Sequence, residues 1–417
     1  MAASTPALAS EVQQATEQHT PADVAIGLLT YNNADTVKDV IAAAISGLKR
    51  VAPGAHAVVI NVDADSSDGT RDLLEGIELP VVTAHHDAPA AERVSVPFHG
   101  VPGRSAALRL ALTIAYRLNA RVLIILEADA ASTTPDWIVR LTEPVLQEKA
   151  DLVVPAYARH RYEGTITKLL LSPVVRALYG RRLHQPFVGQ LALSARLVDH
   201  LLRHPKWDTG GRDISDLWML GTAIADSFQI WEAWLGPYSI HSRTRTSDLP
   251  TMAAQTVGAV FTIMDRYPDL WLEGRGSEAL PMVGTPVPPS CEPMAVDVGA
   301  MIDAFRRGLR DLTQIWEQVL APENLGDVLS LDVPDPGQFR FSDTLWARVV
   351  YDFALGYHYG IVHRDHLLRS LVPLYLGRTA AFVIATRDAG PERSGTAIEA
   401  VAARFKQEKG YLVERWR

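Results

Sequence analysis

The sequence predicts an α/β protein: a Rossmann-like, mainly parallel sheet flanked by helices, with a helical region at its C-terminal end. Three observations predict it. Short apolar runs alternate with helical periodicity between Val24 and Pro135. The polar and acidic residues that interrupt the pattern fall just after the apolar runs, where a parallel sheet binds its ligands. Helical periodicity then dominates beyond the Gly- and Pro-rich stretch 274–293.

Taken in order, Val24 to Thr30 reads as a strand ending at the turn-and-cap cluster Tyr31-Asn32-Asn33-Ala34-Asp35, with a helix from Thr36 to Leu48. His56 to Val62 is a second strand, Asp63 to Gly69 a polar loop, Thr70 to Gly76 a short helix and Leu79 to Ala84 a third strand. Ser105 can cap a helix through Leu118, Val122 to Leu126 is a strand opening onto Glu127-Ala128-Asp129, and a helix follows Pro135. Leu152 to Pro155 is a strand and Thr165 to Tyr179 a helix, and the apolar segments Phe187 to Leu193 and Phe228 to Ile240 complete the sheet. Helices are expected at Ala295 to Leu320, Ser342 to Tyr359 and His366 to Arg387. The organisation expected is a flexible tail at 1–21, an α/β domain at 22–273, a linker at 274–293 and a helical region at 294–417.

Composition narrows the function. Hydrophobic residues make up 47% of the chain and charged residues 21%, ordinary globular usage. The formal net charge of -8 disfavours a nucleic-acid or anionic-membrane surface, because the summed field repels polyanions. A single cysteine, Cys291, excludes an intrachain disulfide and fits a reducing, cytoplasmic compartment. No uncharged run approaches the roughly twenty residues of a membrane span. Asp352, His363, Arg364 and Asp365 interrupt Val349 to Leu376, so no stable membrane insertion is expected. The apolar helical tail suits a homodimer.

The acids stand out. Asp63, Asp65 and Asp68 occupy the loop after the second strand, where a carboxylate can accept from a nucleobase N–H or simply cap a turn. Glu127 and Asp129, alternate residues at a strand end, can hold a divalent cation against a diphosphate; such pairs also cap helices. Oxygen ligands favour Mg²⁺ or Mn²⁺ over a structural zinc. His241 follows the apolar segment Trp234 to Ile240 and precedes Arg243 and Arg245, so it can complete a metal site beside an anion-binding arginine. Gly103-Arg104-Ser105 at a helix start can approach phosphate through N–H groups and a guanidinium, or serve as an ordinary cap.

Taken together, these segments resemble the GT-A nucleotide-sugar glycosyltransferases of the family-2-like superfamily. Leu29-Thr30-Tyr31-Asn32 resembles the opening Thr-Tyr-Asn strand end, and Val62 to Thr70 resembles the loop Val-Asp-Asp-Gly-Ser-x-Asp-Gly-Thr. Gly103 to Leu108 resembles Gly-Lys-Gly-x-Ala-Leu, and Glu127-Ala128-Asp129 stands at the Asp-x-Asp motif. The Lys-to-Arg and Asp-to-Glu departures keep the charge. Within roughly Val24 to Arg245 the resemblance narrows toward retaining mannosylglycerate synthases and glucosyl-3-phosphoglycerate synthases. Gln185 to Gln190 resembles their Gln-Pro-x-x-Gly-Glu loop, with Gln190 replacing the glutamate, and Gly164 to Thr167 resembles Gly-Arg-Val-Thr, with Thr165 replacing the arginine. Asp213-Ile214-Ser215-Asp216 stands at an acidic sugar-contacting segment.

The resemblance implies a retaining, metal-dependent hexosyltransferase. Asp129 and His241 would bind Mg²⁺ or Mn²⁺, with Glu127 in support. Leu29, Thr30, Tyr31, Asn32, Asp63, Arg104, Glu127, Ala128 and Gln190 would contact a UDP- or GDP-hexose. Gly164, Thr165, Thr167 and Arg243 would hold a small carboxylate acceptor such as glycerate, which the loss of the arginine at 165 favours over its phosphorylated form. Asp216 would orient the sugar, and Arg104 with the cation would stabilise the leaving diphosphate. Two alternatives remain: a transferase acting on a phosphorylated or lipid-phosphate acceptor, and a catalytically silent nucleotide-sugar-binding protein, the latter motivated by Glu127 and Gln190.

Overall fold

A computed structural model describes residues 7–94, 99–186, 189–205, 216–239, 248–274, 276–333 and 335–416. Its strands are β1 Val24–Thr30, β2 Ala57–Asp63, β3 Val81–His85, β4 Val122–Glu127, β5 Leu152–Ala158, β6 Arg181–Arg182, β7 Leu191–Ser194, β8 Ile230–Pro237, β9 Glu278–Ala279 and β10 Met282–Val283. Eight form one sheet in the order β10-β8-β5-β7-β4-β1-β2-β3. β1 is parallel to β2 and β4, and β2 to β3, while β7 runs antiparallel to β4 and β5. Mainly parallel strands with flanking helices, and helices at the C-terminal end, are the fold class expected from the sequence.

Every residue of β1, β2 and β4 is buried, the signature of parallel strands covered on both faces. Helices Val37–Val51 and Pro135–Leu146 pack Val40, Ile41, Ala44, Trp137, Ile138 and Leu141 into the same core as Ile26, Val59 and Ile124. Arg104–Arg117 packs its buried Ala107, Leu108, Ala111 and Leu112 face against β1 and β2. The register sets Leu29 beside Glu127 and Thr30 beside Asp63, so three strand ends carrying candidate residues adjoin.

The chain forms two compact units. One, the α/β unit, comprises Met1–Tyr157, Phe187–Ser247 and Leu280–Pro286; the other, helical unit comprises Ala158–Pro186, Asp248–Ala279 and Val287–Arg417. This differs from the boundaries expected at 273 and 293. Met282–Val283 lies within the expected linker but pairs with Glu232 and Ala233 of β8, a two-residue strand too short to show in a Gly- and Pro-rich sequence. The tail expected at 1–21 contains a helix, Ser10–Gln18, in which Thr16 is buried and donates to the Val12 carbonyl at 2.6 Å. Its polar composition concealed that single buried face.

In the helical unit the helix through Tyr179 begins with a π-helical turn at Thr167–Leu171, and Ser172–Tyr179 continues it. The helix expected over Ala295 to Leu320 is two, Val298–Asp311 and Thr313–Val319. Trp346 donates its indole N–H to the Leu169 carbonyl at 2.6 Å and Trp316 to the Ser370 carbonyl at 3.1 Å, pairing their polar edges in the core. Arg161 donates to the carbonyls of Thr386 at 2.9 Å and Arg387 at 3.0 Å, closing the C-terminal end of helix Arg364–Thr386. By length and composition this 23-residue helix alone among the described residues could cross a membrane, but 78% of its most apolar stretch is buried.

Candidate active site

The site grows from the loops at the C-terminal ends of β1, β2 and β4. Asn32 and Asp65 adopt left-handed backbone, φ 54° and 70°, which short polar side chains tolerate better than most. The Asn33 side chain accepts from the Tyr31 N–H at 2.8 Å, and the Asn33 N–H donates to the Thr70 hydroxyl at 2.8 Å. Asn32 N–H donates to Ser66 Oγ and Ser67 N–H to Asn32 Oδ1, each at 2.9 Å, while Thr36 donates to the Ala128 carbonyl at 2.6 Å. Three loops are therefore cross-linked before any ligand arrives.

Asp63 is the centre of that framework. Its carboxylate accepts from Thr30 Oγ1 at 2.9 Å, Ser66 N–H at 2.8 Å and Ser66 Oγ at 2.6 Å. It is fully buried, and these bonds hold the turn from Asp63 to Ser66. Asp65 is exposed and paired with Arg93 at 3.0 Å. Beside Asp63, His86 donates Nε2–H to the Pro102 carbonyl at 2.9 Å, and burial holds its pKa down against that bond and the Asp63 charge.

Arg104 begins its helix after Gly103, whose φ of 64° suits glycine and whose Cβ would lie 3.0 Å from His86 Nε2. Arg104 is 5% exposed and its Nη2 donates to both oxygens of Asp216 at 2.9 and 3.1 Å. Its buried Nε–H has no partner among the described residues. Leu29, Asn33, His99, Gly100, Val101, Arg104, Glu127, Ala128 and Asp129 line one cleft. Leu29, Arg104, Glu127, Ala128 and Asp129 were singled out from sequence; Asn33 and His99 to Val101 were not. A cap-forming Asn and a Pro/Gly segment signal turns, not the loops' convergence.

Gln190 adjoins this site. Its amide donates to Glu127 Oε2 at 3.3 Å, and the Tyr238 hydroxyl donates to the same oxygen at 2.6 Å. The Tyr157 hydroxyl donates to Gln190 Oε1. The donor-sugar role expected of Gln190 has to contend with complete burial and with these two partners. Tyr157 and Tyr238 went unread in the sequence because aromatic residues on strand-like segments read as core.

Gly164, Thr165 and Thr167 belong to the helical unit. Thr165 Oγ1 is hydrogen-bonded with Tyr375 at 2.5 Å in a buried setting, and Thr167 is buried. Gly164, at φ 60°, leaves room for Arg159, whose Nη1 lies 2.8 Å from where a Cβ would stand. Lys168 donates to the His160 carbonyl, and burial, with Arg159 nearby, pulls its pKa down to about 7. Arg159 and Lys168 are cationic neighbours of the segment that the sequence reading passed over.

His241 and Arg243 lie outside the described residues, as do Asp213, Ile214 and Ser215. The residues on either side of the Asp129 loop do bear on the metal expectation: Ser239 N–H donates to Ser132 Oγ at 2.9 Å. Among the described residues no three His, Cys, Asp or Glu side chains form a metal-ligating group. Glu127 and Asp129 supply carboxylate oxygens to one cleft, donors that suit a hard divalent cation.

Fold and cleft together define an α/β unit with an acid- and arginine-lined cleft at the C-terminal ends of parallel strands. No protein-family model matches the chain. No curated protein matches it either. Solved structures do: glucosyl-3-phosphoglycerate synthase from Mycobacterium tuberculosis, in complex with Mn²⁺, uridine diphosphate and phosphoglyceric acid, aligns over 63% of this chain and 83% of its own at 20% identity and TM-score 0.42. The same enzyme with Mg²⁺ and uridine diphosphate aligns over 63% and 84% at 20% identity and TM-score 0.42. With Mn²⁺, uridine-diphosphate-glucose and phosphoglyceric acid the figures are 63% and 84%, 19% identity and TM-score 0.41.

Proposed function

We propose that this chain is a retaining, metal-dependent glycosyltransferase that moves glucose or mannose from a UDP- or GDP-sugar to a small hydroxy acid such as glycerate, as a cytoplasmic homodimer. The observation that carries the reading is Arg104: a buried guanidinium whose Nε–H has no partner among the described residues, lining one cleft with Glu127 and Asp129. A buried donor without an acceptor is costly, and a phosphate oxygen would satisfy it.

In this mechanism Arg104 binds the departing diphosphate, and Asp216, its partner across 2.9 Å, orients the sugar. Asp129 and His241 would hold Mg²⁺ or Mn²⁺, with Glu127 in support. When bound, the cation supplies charge neutralisation to the leaving group. Leu29 to Asn32 and the framework around Asp63 shape the nucleoside end. Gly164, Thr165, Thr167 and Arg243 hold the acceptor, and the leaving phosphate oxygen takes the acceptor's proton.

The test is a screen of nucleotide sugars against small carboxylate acceptors with and without divalent cation, with the product anomer read by NMR. Asp129→Asn and His241→Ala should each lower transfer by roughly 100-fold or more, the scale of losing a charge-stabilising group, with melting temperature unchanged. Full transfer by both variants in the presence of chelator would end the reading.

A further inference from the structure

We propose that Gln190 is a positioning residue of this cleft, required as a neutral amide because it fixes the Glu127 carboxylate. Its functional consequence rests on the transferase reading; its chemistry does not.

Three observations converge. First, Glu127 is 7% exposed, and its Oε2 accepts from both Gln190 Nε2 and the Tyr238 hydroxyl. The donor directions are forced, since a carboxylate only accepts. Gln190 must present its amide nitrogen to Glu127 and its oxygen to the Tyr157 hydroxyl, and it does both. Second, residue 189 cannot carry a side chain: a Cβ there would lie 1.8 Å from Glu127 Cδ and 2.0 Å from Oε1. The carboxylate lies flat on the glycine backbone. Third, the two tyrosines are themselves locked, ring centroids 4.4 Å apart and packed on Trp137 at 5.6 and 6.4 Å.

Residues 127, 189 and 190 therefore act as one unit. A glutamate at 127 reaches over Gly189 and needs a donor at 190. A carboxylate at 190 would face Glu127 Oε2 with no hydrogen between them, unless the pair kept a proton. The two departures from the family pattern, which taken singly suggest a silent protein, are in contact and compensate each other.

The experiment compares wild type with Gln190→Leu, Gln190→Glu and Glu127→Gln/Gln190→Glu in the full chain, by thermal unfolding at pH 7.5 and by donor turnover with Mn²⁺. Gln190→Glu should melt below wild type, and the double variant, which again sets an amide opposite a carboxylate, should recover most of that loss. Gln190→Leu should lower kcat roughly tenfold, the scale of losing a group that orients a functional side chain, with little change in donor KM. A Gln190→Glu melting temperature equal to wild type, or no recovery in the double variant, would overturn the proposal, as would wild-type kcat in Gln190→Leu. If wild type turns over no donor while the unfolding series behaves as expected, the transferase reading fails and the Gln190–Glu127 coupling stands.

Discussion

Asp68 in the α/β unit and Asp352 in the helical unit each accept three hydrogen bonds, yet their acidities move in opposite directions. Asp68 accepts from Ala34 N–H at 2.9 Å, Thr70 N–H at 3.0 Å and Thr70 Oγ1 at 2.5 Å. Asp352 accepts from Ala321 N–H at 3.0 Å, Asn324 Nδ2 at 2.7 Å and Tyr411. Burial raises both. In exposed Asp68 the three donors outweigh it and the pKa is lowered. In Asp352, 3% exposed, burial wins and the pKa is raised. Asp151 of the α/β unit follows Asp68: Arg196, Gln229 and Ser194 together overcome its burial. Lys168 and Lys409 of the helical unit follow Asp352, drawn toward neutrality by burial to about 7 and about 8.

The difference teaches what each unit is built for. Loops at a sheet edge can turn many N–H and hydroxyl groups onto one carboxylate and keep it ionised beside water; tightly packed helices have already spent their backbone groups. Asp63 is fully buried, accepts from Thr30 and Ser66, and has Arg71 Nε 3.8 Å from Oδ1. Asp63→Ala strands those donors and should lower stability by about 3 kcal/mol, read from urea or thermal unfolding, with weaker nucleotide affinity as the loops loosen. Asp63→Asn, which keeps one acceptor oxygen, should lose less. A loss below about 1 kcal/mol for the alanine variant would remove the contrast between the units.

The same contrast explains what could be read from sequence. Strand ends are local: the apolar run Val24 to Thr30 and the acids after it announced β1, β2 and β4 and the cleft residues Arg104, Glu127 and Asp129. Register turned those separate segments into one site, but the sequence did not say how the acids would be held. Thr30 on Asp63, and Gln190 and Tyr238 on Glu127, are pairings across 33, 63 and 111 residues, for which no spacing rule exists. The two-residue β10 was hidden for a different reason, since so few residues carry no periodicity, and the apolar segment Phe187 to Leu193 announced β7 but not its antiparallel direction. In the helical unit, Lys168 and Lys409 went unread, since helical periodicity predicts a face and not the depth to which that face is covered.

Lys168 sharpens the comparison. Its ordinary value of 10.5 falls to about 7 in the folded chain, so between those values the unfolded chain takes up a proton that the folded chain refuses. Stability from this group therefore rises with pH across that window and is flat below it. Lys168→Met removes the penalty. Its melting temperature should exceed that of wild type by roughly 2–4 °C at pH 7, the shift about 1 kcal/mol produces in a domain of this size. The gap should close toward pH 10.5. If Lys168 serves the acceptor, the same variant should lose transfer with a raised acceptor KM.

Lys409 should give the smallest effect, and the reason is geometric. Its pKa falls only to about 8, through burial and the nearby Lys406, so the window in which the unfolded chain binds the extra proton is narrower. It also donates to the carbonyls of Leu178 at 3.4 Å and Gly274, and Lys409→Met leaves those acceptors without their donor. A reduced penalty is offset by lost bonds. The variant should match wild type within roughly 1 °C at pH 7, given the modest net worth of such bonds, and fall below it as pH rises past 8, where wild type keeps its bonds and loses the penalty. Unfolding scans of both proteins at three pH values would read this directly. A Lys409→Met curve that gains on wild type with rising pH would mean that the lysine is held charged in the fold, and that the helical unit can solvate a buried ion after all.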